Sequence, residues 1–135
     1  MSSSASCPCP CDSRQTYASC CGRWHAGAPA PDAELLMRSR YSAYVLGFSD
    51  YLLATWHVST RPAVLDFAEA TPARTNWLGL SLKGYRVIDD SHAEVEFVAR
   101  YRIGGGRAAR LHERSRFVCE GERWFYVGGQ FDPAA

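Results

Sequence analysis

No stretch of this 135-residue chain approaches the ~20 consecutive apolar residues that span a bilayer, because Arg, Asp or Gly interrupts the longest candidates. Membrane insertion is therefore not expected. Charge of one sign is lacking too: 15 Lys and Arg stand against 14 Asp and Glu, which leaves no field to steer nucleic acid over long range. Lysine is nearly absent, with Lys83 alone, and the other basic residues are arginines, whose planar fork suits paired hydrogen bonds to carboxylates. There is no internal repeat. Met1 to Ser6 has neither a basic start nor an apolar stretch, so no secretory signal is read and a reducing, cytoplasmic setting is expected. What is present suffices for one core: 47% of residues are hydrophobic and 13% aromatic in a chain of single-domain size.

Cysteine is unevenly placed. Of six, five fall between Cys7 and Cys21, and Cys119 stands apart. Cys9-Pro10-Cys11, a short loop and Cys20-Cys21 form two close pairs, which supply four soft ligands to a tetrahedral zinc ion without a packed core behind them. A disulfide framework is the rival reading, and it needs an oxidising compartment. The ligand set expected is Cys9, Cys11, Cys20 and Cys21, with Cys7 a spare thiol. Residues 1–25 hold too little apolar surface to fold unaided, so metal is expected to order them; structural zinc contributes ~10–16 kcal/mol at neutral pH. Tyr17 and Trp24 are the apolar handles by which this segment rests on its neighbour. Residues 26–31, rich in Ala and Pro, read as a short stiff linker to a domain spanning 32–135.

Within that domain Asp32 is a suitable N-cap, and Leu36, Met37, Arg40, Tyr41, Tyr44 and Phe48 fall on one helical stripe. Ser49 is expected to cap a second helix from Asp50 to about Trp56, and Pro62 to open a third that runs to about Ala70. The period then changes to two. From Ala93 to Ile103 the odd positions are apolar, Gly104 to Gly106 turn the chain, and the alternation resumes from Arg110 to Cys119. Strands are also expected at Trp77–Val87 and Trp124–Val127, giving three helices and an antiparallel meander, an α+β fold. On the dry parity of the third strand stand Leu111, Glu113, Ser115 and Phe117. A carboxylate pointing at the helices needs a partner, and Arg40 on the first helix supplies a guanidinium. A direct Arg40–Glu113 pair is the expectation. If the hairpin closes over residues 104–108, Glu113 lies opposite Ala99.

The wording of the sequence adds to this. The run Cys9-Pro10-Cys11-Asp12-Ser13-Arg14-Gln15-Thr16-Tyr17-Ala18-Ser19-Cys20-Cys21-Gly22 resembles the SEC-C zinc motif, best known from the carboxy-terminal tail of the SecA translocation ATPase. The likeness continues through Leu36-Met37-Arg38-Ser39-Arg40-Tyr41, Trp56-His57-Val58-Ser59-Thr60-Arg61-Pro62, Trp77-Leu78-Gly79-Leu80, Val95 to Tyr101 and Leu111 to Phe117, and over nearly the whole chain it is similar to the YchJ family of bacterial proteins. That resemblance implies a SEC-C segment followed by a nuclear-transport-factor-2-like cone, three helices on a curved antiparallel sheet. The chain departs from the family in the zinc loop, where Asp12 and Arg14 stand for glycine and Gln15 for lysine. Glycine there relieves positive φ, which Asp tolerates and Arg tolerates poorly, at about 1–3 kcal/mol for a strained residue. Arg14 is expected to offset part of that cost by facing the negative charge of the site.

Two function classes follow. The zinc segment is expected to act as a structural or docking module for a protein partner, since the SecA module of the same kind docks the SecB chaperone. The alternative is a small-molecule-binding or proton-transfer enzyme, isomerase- or dehydratase-like, with Arg40, Tyr41, Tyr44, Trp56, His57, Glu113 and Ser115 around the interior of the cone. Catalysis at zinc is not expected, because four cysteines close its coordination sphere. Arg100, Arg102, Arg110, Arg114 and Arg116 share the wet face of the sheet with Glu94 and Glu96. A solvated face is the plain reading; an acidic protein or RNA is the other, with affinity falling as salt rises.

Overall fold

The computed structural model describes residues 7–63 and 75–131. A single turn of 3-10 helix at Tyr17–Ser19 leads into α1 (Cys21–His25), followed by α2 (Ala33–Leu46), α3 (Ser49–Ala54) and strands β1 (Thr75–Asp89), β2 (His92–Ile103), β3 (Ala108–Glu120) and β4 (Arg123–Phe131). The sheet is an antiparallel meander in the order β1-β2-β3-β4, so three helices and four strands make an α+β fold. No helix among the described residues is long and apolar enough to cross a membrane.

α2 starts as expected. The Asp32 carboxylate accepts the Leu35 amide at 2.8 Å, and Gly47 ends the helix at φ 78, a conformation that costs glycine nothing. Phe48 therefore lies beyond the helix rather than on its stripe, and it is 41% exposed. α3 has Phe48 at its N-cap, with Ser49 as its first residue rather than its cap, and it ends at Ala54. The third helix expected from Pro62 to about Ala70 lies outside the described residues from position 64 on, and Pro62 and Ala63 themselves are not helical. α1 was not anticipated, since five residues are too few to show a helical period.

The alternation on β2 and β3 holds: Ala93, Val95, Phe97, Ala99, Glu113, Ser115 and Phe117 are buried, and this face opens to solvent at the hairpin end, at Ile103 (52%) and Ala109. Each large apolar side chain so placed contributes roughly 1.5–3 kcal/mol. The register differs from expectation. Glu113 pairs with Phe97 and Leu111 with Ala99, a shift of two residues, because the chain already turns at Gly104 (φ 56), with the Gly106 amide on the Ile103 carbonyl.

α2 is buried on more than its sheet-facing stripe. Ser39, Ser42 and Ala43 are also fully enclosed, because the amino-terminal segment covers a second side of the helix and small side chains allow the close approach. At the opposite edge Thr55, Trp56 and His57 run beside β4: the Tyr126 amide donates to the Thr55 carbonyl, the His57 amide to the Tyr126 carbonyl, and the Thr60 hydroxyl to the Val127 carbonyl.

Candidate metal centre and adjoining cavity

Residues 7–17 fold into a small knuckle. The Tyr17 amide donates to the Cys7 carbonyl at 2.8 Å and the Cys9 amide to the Gln15 carbonyl at 2.9 Å, which brings Cys9 and Cys11 over the start of α1. Gly22 fits there because a Cβ would lie 2.7 Å from the Tyr17 carbonyl oxygen. The result is four sulfurs, those of Cys9, Cys11, Cys20 and Cys21, all within 4.8 Å of one another and all buried. Two of the separations are 3.6 Å for Cys11–Cys20 and 4.0 Å for Cys20–Cys21. A zinc ion bonded to four sulfurs at ~2.3 Å places them about 3.8 Å apart, whereas a disulfide needs ~2.05 Å. The donor set fits a tetrahedral thiophilic ion, with Ser42 3.5 Å from Cys9 and Ser13 3.1 Å from Cys20 as supporting hydroxyls.

The thiols also disturb one another. Hydrogen bonds from Cys11 and Cys21 pull Cys9 far below the usual thiol range, while contacts with Cys11 and Cys9, then burial, push Cys21 far above it. Four thiolates therefore require a cation among them. Cys7 remains outside the cluster, exposed.

Both departures from glycine in the loop lie where positive φ is needed, Asp12 at 62° and Arg14 at 69°. Asp12 turns this to use, since its carboxylate accepts the Leu80 amide of β1 at 2.8 Å. Arg14 does not take the expected role: its side chain is exposed, and the guanidinium at the knuckle belongs to Arg38, which donates to the Cys11 carbonyl at 2.8 Å. Replacing Arg14 by glycine should therefore stabilise the fold by about 1 kcal/mol by relieving the left-handed backbone. Urea unfolding of Arg14→Gly measures this, and a loss of stability would show that Arg14 holds something in place.

His25 ties α1 to α2, and sequence reasoning missed it. Its Nε2 donates to the Ser39 carbonyl at 2.8 Å, so its Nδ1 accepts from the Tyr17 hydroxyl at 2.6 Å, and its ring meets Phe48 and Tyr51 edge-on. Burial lowers its pKa, against the opposing pull of the Ser39 carbonyl. The unfolded chain thus takes up a proton first as pH falls, so this contribution is complete above about pH 6.5 and is lost progressively below it. Unfolding free energies at pH 7.5 and 5.5 should differ more in the native chain than in His25→Phe; equal differences would rule the imidazole out. Trp24, the expected handle, is buried in the shared core, with the Arg23 guanidinium 4.4 Å from its ring.

Between α2 and the sheet lies a cavity of about 270 Å³ whose lining includes Arg40, Tyr41, Tyr44, Trp56, Glu113 and Ser115. Six of the seven expected pocket residues meet there. His57 does not: its amide is bound to β4, its Nδ1 lies 2.7 Å from the Ser59 hydroxyl, and its Nε2 is 3.0 Å from Glu120.

The direct Arg40–Glu113 pair is absent. Arg40 is 4% exposed and reaches the far end of α3, donating to the Leu52 carbonyl at 2.8 Å and the Thr55 hydroxyl at 2.7 Å; it also bonds the Tyr44 hydroxyl. Glu113 instead accepts from Ser115 at 2.9 Å and Tyr126 at 2.8 Å. Tyr126 joins the two, since the Arg40 cation sits 4.5 Å from its ring and 5.1 Å from that of Trp56. Burial and the nearby Glu113 charge hold the Tyr126 proton firmly. Burial likewise pushes Tyr41 up to about 12. Gly129 makes this possible, because a Cβ there would collide with the Glu113 carboxylate. Tyr126 was not singled out beforehand: Trp124, Phe125 and Tyr126 are all aromatic, so alternation does not assign a face, and a bulge at Arg116/Phe117 shifts the pairing.

A family model described as the YchJ middle, NTF2-like domain matches residues 32–129, and the SEC-C motif matches residues 8–23. The chain belongs to the YchJ family. A UPF0225 protein of Polaromonas naphthalenivorans (strain CJ2) is 56% identical over 135 residues, 90% of this YchJ chain and 96% of that protein. A Bordetella pertussis (strain Tohama I) UPF0225 protein is 60% identical over 124 residues, covering 90% of each. Among solved structures, a SEC-C motif containing protein from Rhodopseudomonas palustris superposes with a TM-score of 0.80 at 34% identity, covering 93% of this chain and 99% of the other. The metal-compatible cysteines and the cone-type domain are thus features of one YchJ architecture, and in this member they share a single buried cluster.

Proposed function

We propose that Cys9, Cys11, Cys20 and Cys21 hold one zinc ion as a closed structural centre, and that the module it fixes serves as a docking surface for a protein partner in the cytoplasm. The observation that carries the metal half is the burial of all four sulfurs within 4.8 Å of one another against α2. A closed four-thiolate sphere leaves no position for water, so the ion orders the chain and does not activate a substrate. The docking half rests on the SEC-C match and on the exposure of Arg14, Gln15, Ala18 and Ser19 on the outer side of the knuckle.

Metal analysis of freshly isolated, reduced protein should give one zinc per chain, falling to near zero in Cys20→Ser. A photo-crosslinking residue at Gln15 should capture a defined protein in cells, and capture should vanish in the Cys20→Ser background. Another metal at full occupancy, or capture indifferent to the cysteine, would remove the corresponding half of the reading.

A further inference from the structure

The cavity beside α2 has a lopsided supply of hydrogen-bonding groups. Glu113 is 6% exposed, and both of its hydrogen bonds, from Ser115 and Tyr126, end on Oε2, so Oε1 has no partner among the described residues. Arg40 spends its Nη1 on the Leu52 carbonyl and the Thr55 hydroxyl and bonds Tyr44 as well. The unfilled hydrogen-bonding capacity of the carboxylate is therefore for a donor at Oε1. Much of the wall is aromatic, with Trp77, Tyr41 and Phe97 lining the cavity, and ring faces favour a positive group over a neutral one. An anion would meet the Glu113 carboxylate and find the Nη1 of Arg40 already engaged. The volume of about 270 Å³ lies just below the ~300 Å³ at which drug-sized pockets begin, so the occupant is small.

From this we infer that the cavity binds a small organic ammonium, an amine carried on a compact apolar or aromatic body, with its N–H groups on Glu113 Oε1 and its body against the rings. This site is separate from the cysteine cluster and does not depend on the docking role of the knuckle.

The test uses the full chain, its zinc content measured in the same sample, and three probes of equal size: benzylamine, benzyl alcohol and benzoate. Calorimetry and the fluorescence of Trp56 and Trp77 report binding. Benzylamine should bind one to one, benzyl alcohol about tenfold more weakly and benzoate more weakly still, as expected for loss of one charge-assisted hydrogen bond. Glu113→Gln should weaken benzylamine about tenfold and leave benzyl alcohol within about twofold. Ala99→Leu fills the cavity from β2 without altering the carboxylate and should abolish binding of all three. The inference is overturned if benzoate or benzyl alcohol equals benzylamine in the native chain, if none of the three binds, or if either variant binds the amine as the native chain does.

Discussion

Withdrawal of the proposed zinc ion, by chelation or in Cys20→Ser, should unfold the whole chain rather than fray its first 25 residues. Structural zinc contributes ~10–16 kcal/mol at neutral pH, at least as much as the ~5–15 kcal/mol that separates a folded domain from its unfolded state. The four cysteines belong to the same buried cluster as Leu36, Met37, Val95 and Phe117. Four further ties cross from the knuckle and α1 to the domain: Cys9 to Ser42, Asp12 to Leu80, His25 to Ser39 and Arg38 to Cys11. Melting followed by far-ultraviolet circular dichroism should show one cooperative transition that moves down strongly on metal removal. The Ser39 and Leu80 amide resonances should shift together with those of Cys9 and Cys20. A variant that melts like the native chain, with Ser39 and Leu80 unmoved, would show the knuckle to be an independent appendage.

The second large effect is expected at Arg40. Arg40→Met takes the shorter of two donors from the Leu52 carbonyl, removes a cation from the faces of Trp56 and Tyr126, and deprives Glu113 of the only guanidinium among the described residues of its cavity. The guanidinium also lies at the C-terminal end of α3, where a cation is favoured. Breaking a buried charge arrangement from one side costs roughly 3–5 kcal/mol. Arg40→Lys should recover only part of this, since an ammonium cannot reproduce the fork that serves a carbonyl and a hydroxyl together. Urea unfolding of both variants decides the matter. A loss below about 1 kcal/mol for Arg40→Met is the value of a solvated charge and would show that water reaches the group.

What was legible in the residues were features set by local chemistry. Asp32 announced the start of α2, period-two alternation placed Glu113 and Ser115 indoors, and cysteine spacing picked out the four clustered thiols. The backbone demand at Asp12 and Arg14 was legible through the glycines that the resemblance to the SEC-C motif implies there. Choices among near-equivalent tertiary solutions were not legible. Three consecutive glycines allow more than one loop length, so the register of β2 on β3 was two residues away from expectation. Arg40 is long enough to reach either Glu113 or the end of α3, and only the placed helices show that it takes the latter. The tie through His25 depends on α1, which is too short to leave a pattern.

Asp12 and the Thr55–Thr60 segment have a joint consequence. One occupies an outward amide on β1 and the other runs along β4, so both borders of the sheet have part of their backbone already engaged. A strand border with vacant amides is a template for another chain. Because Asp12 belongs to the knuckle, the proposed ion would also hold in place the carboxylate that covers this amide of the β1 border.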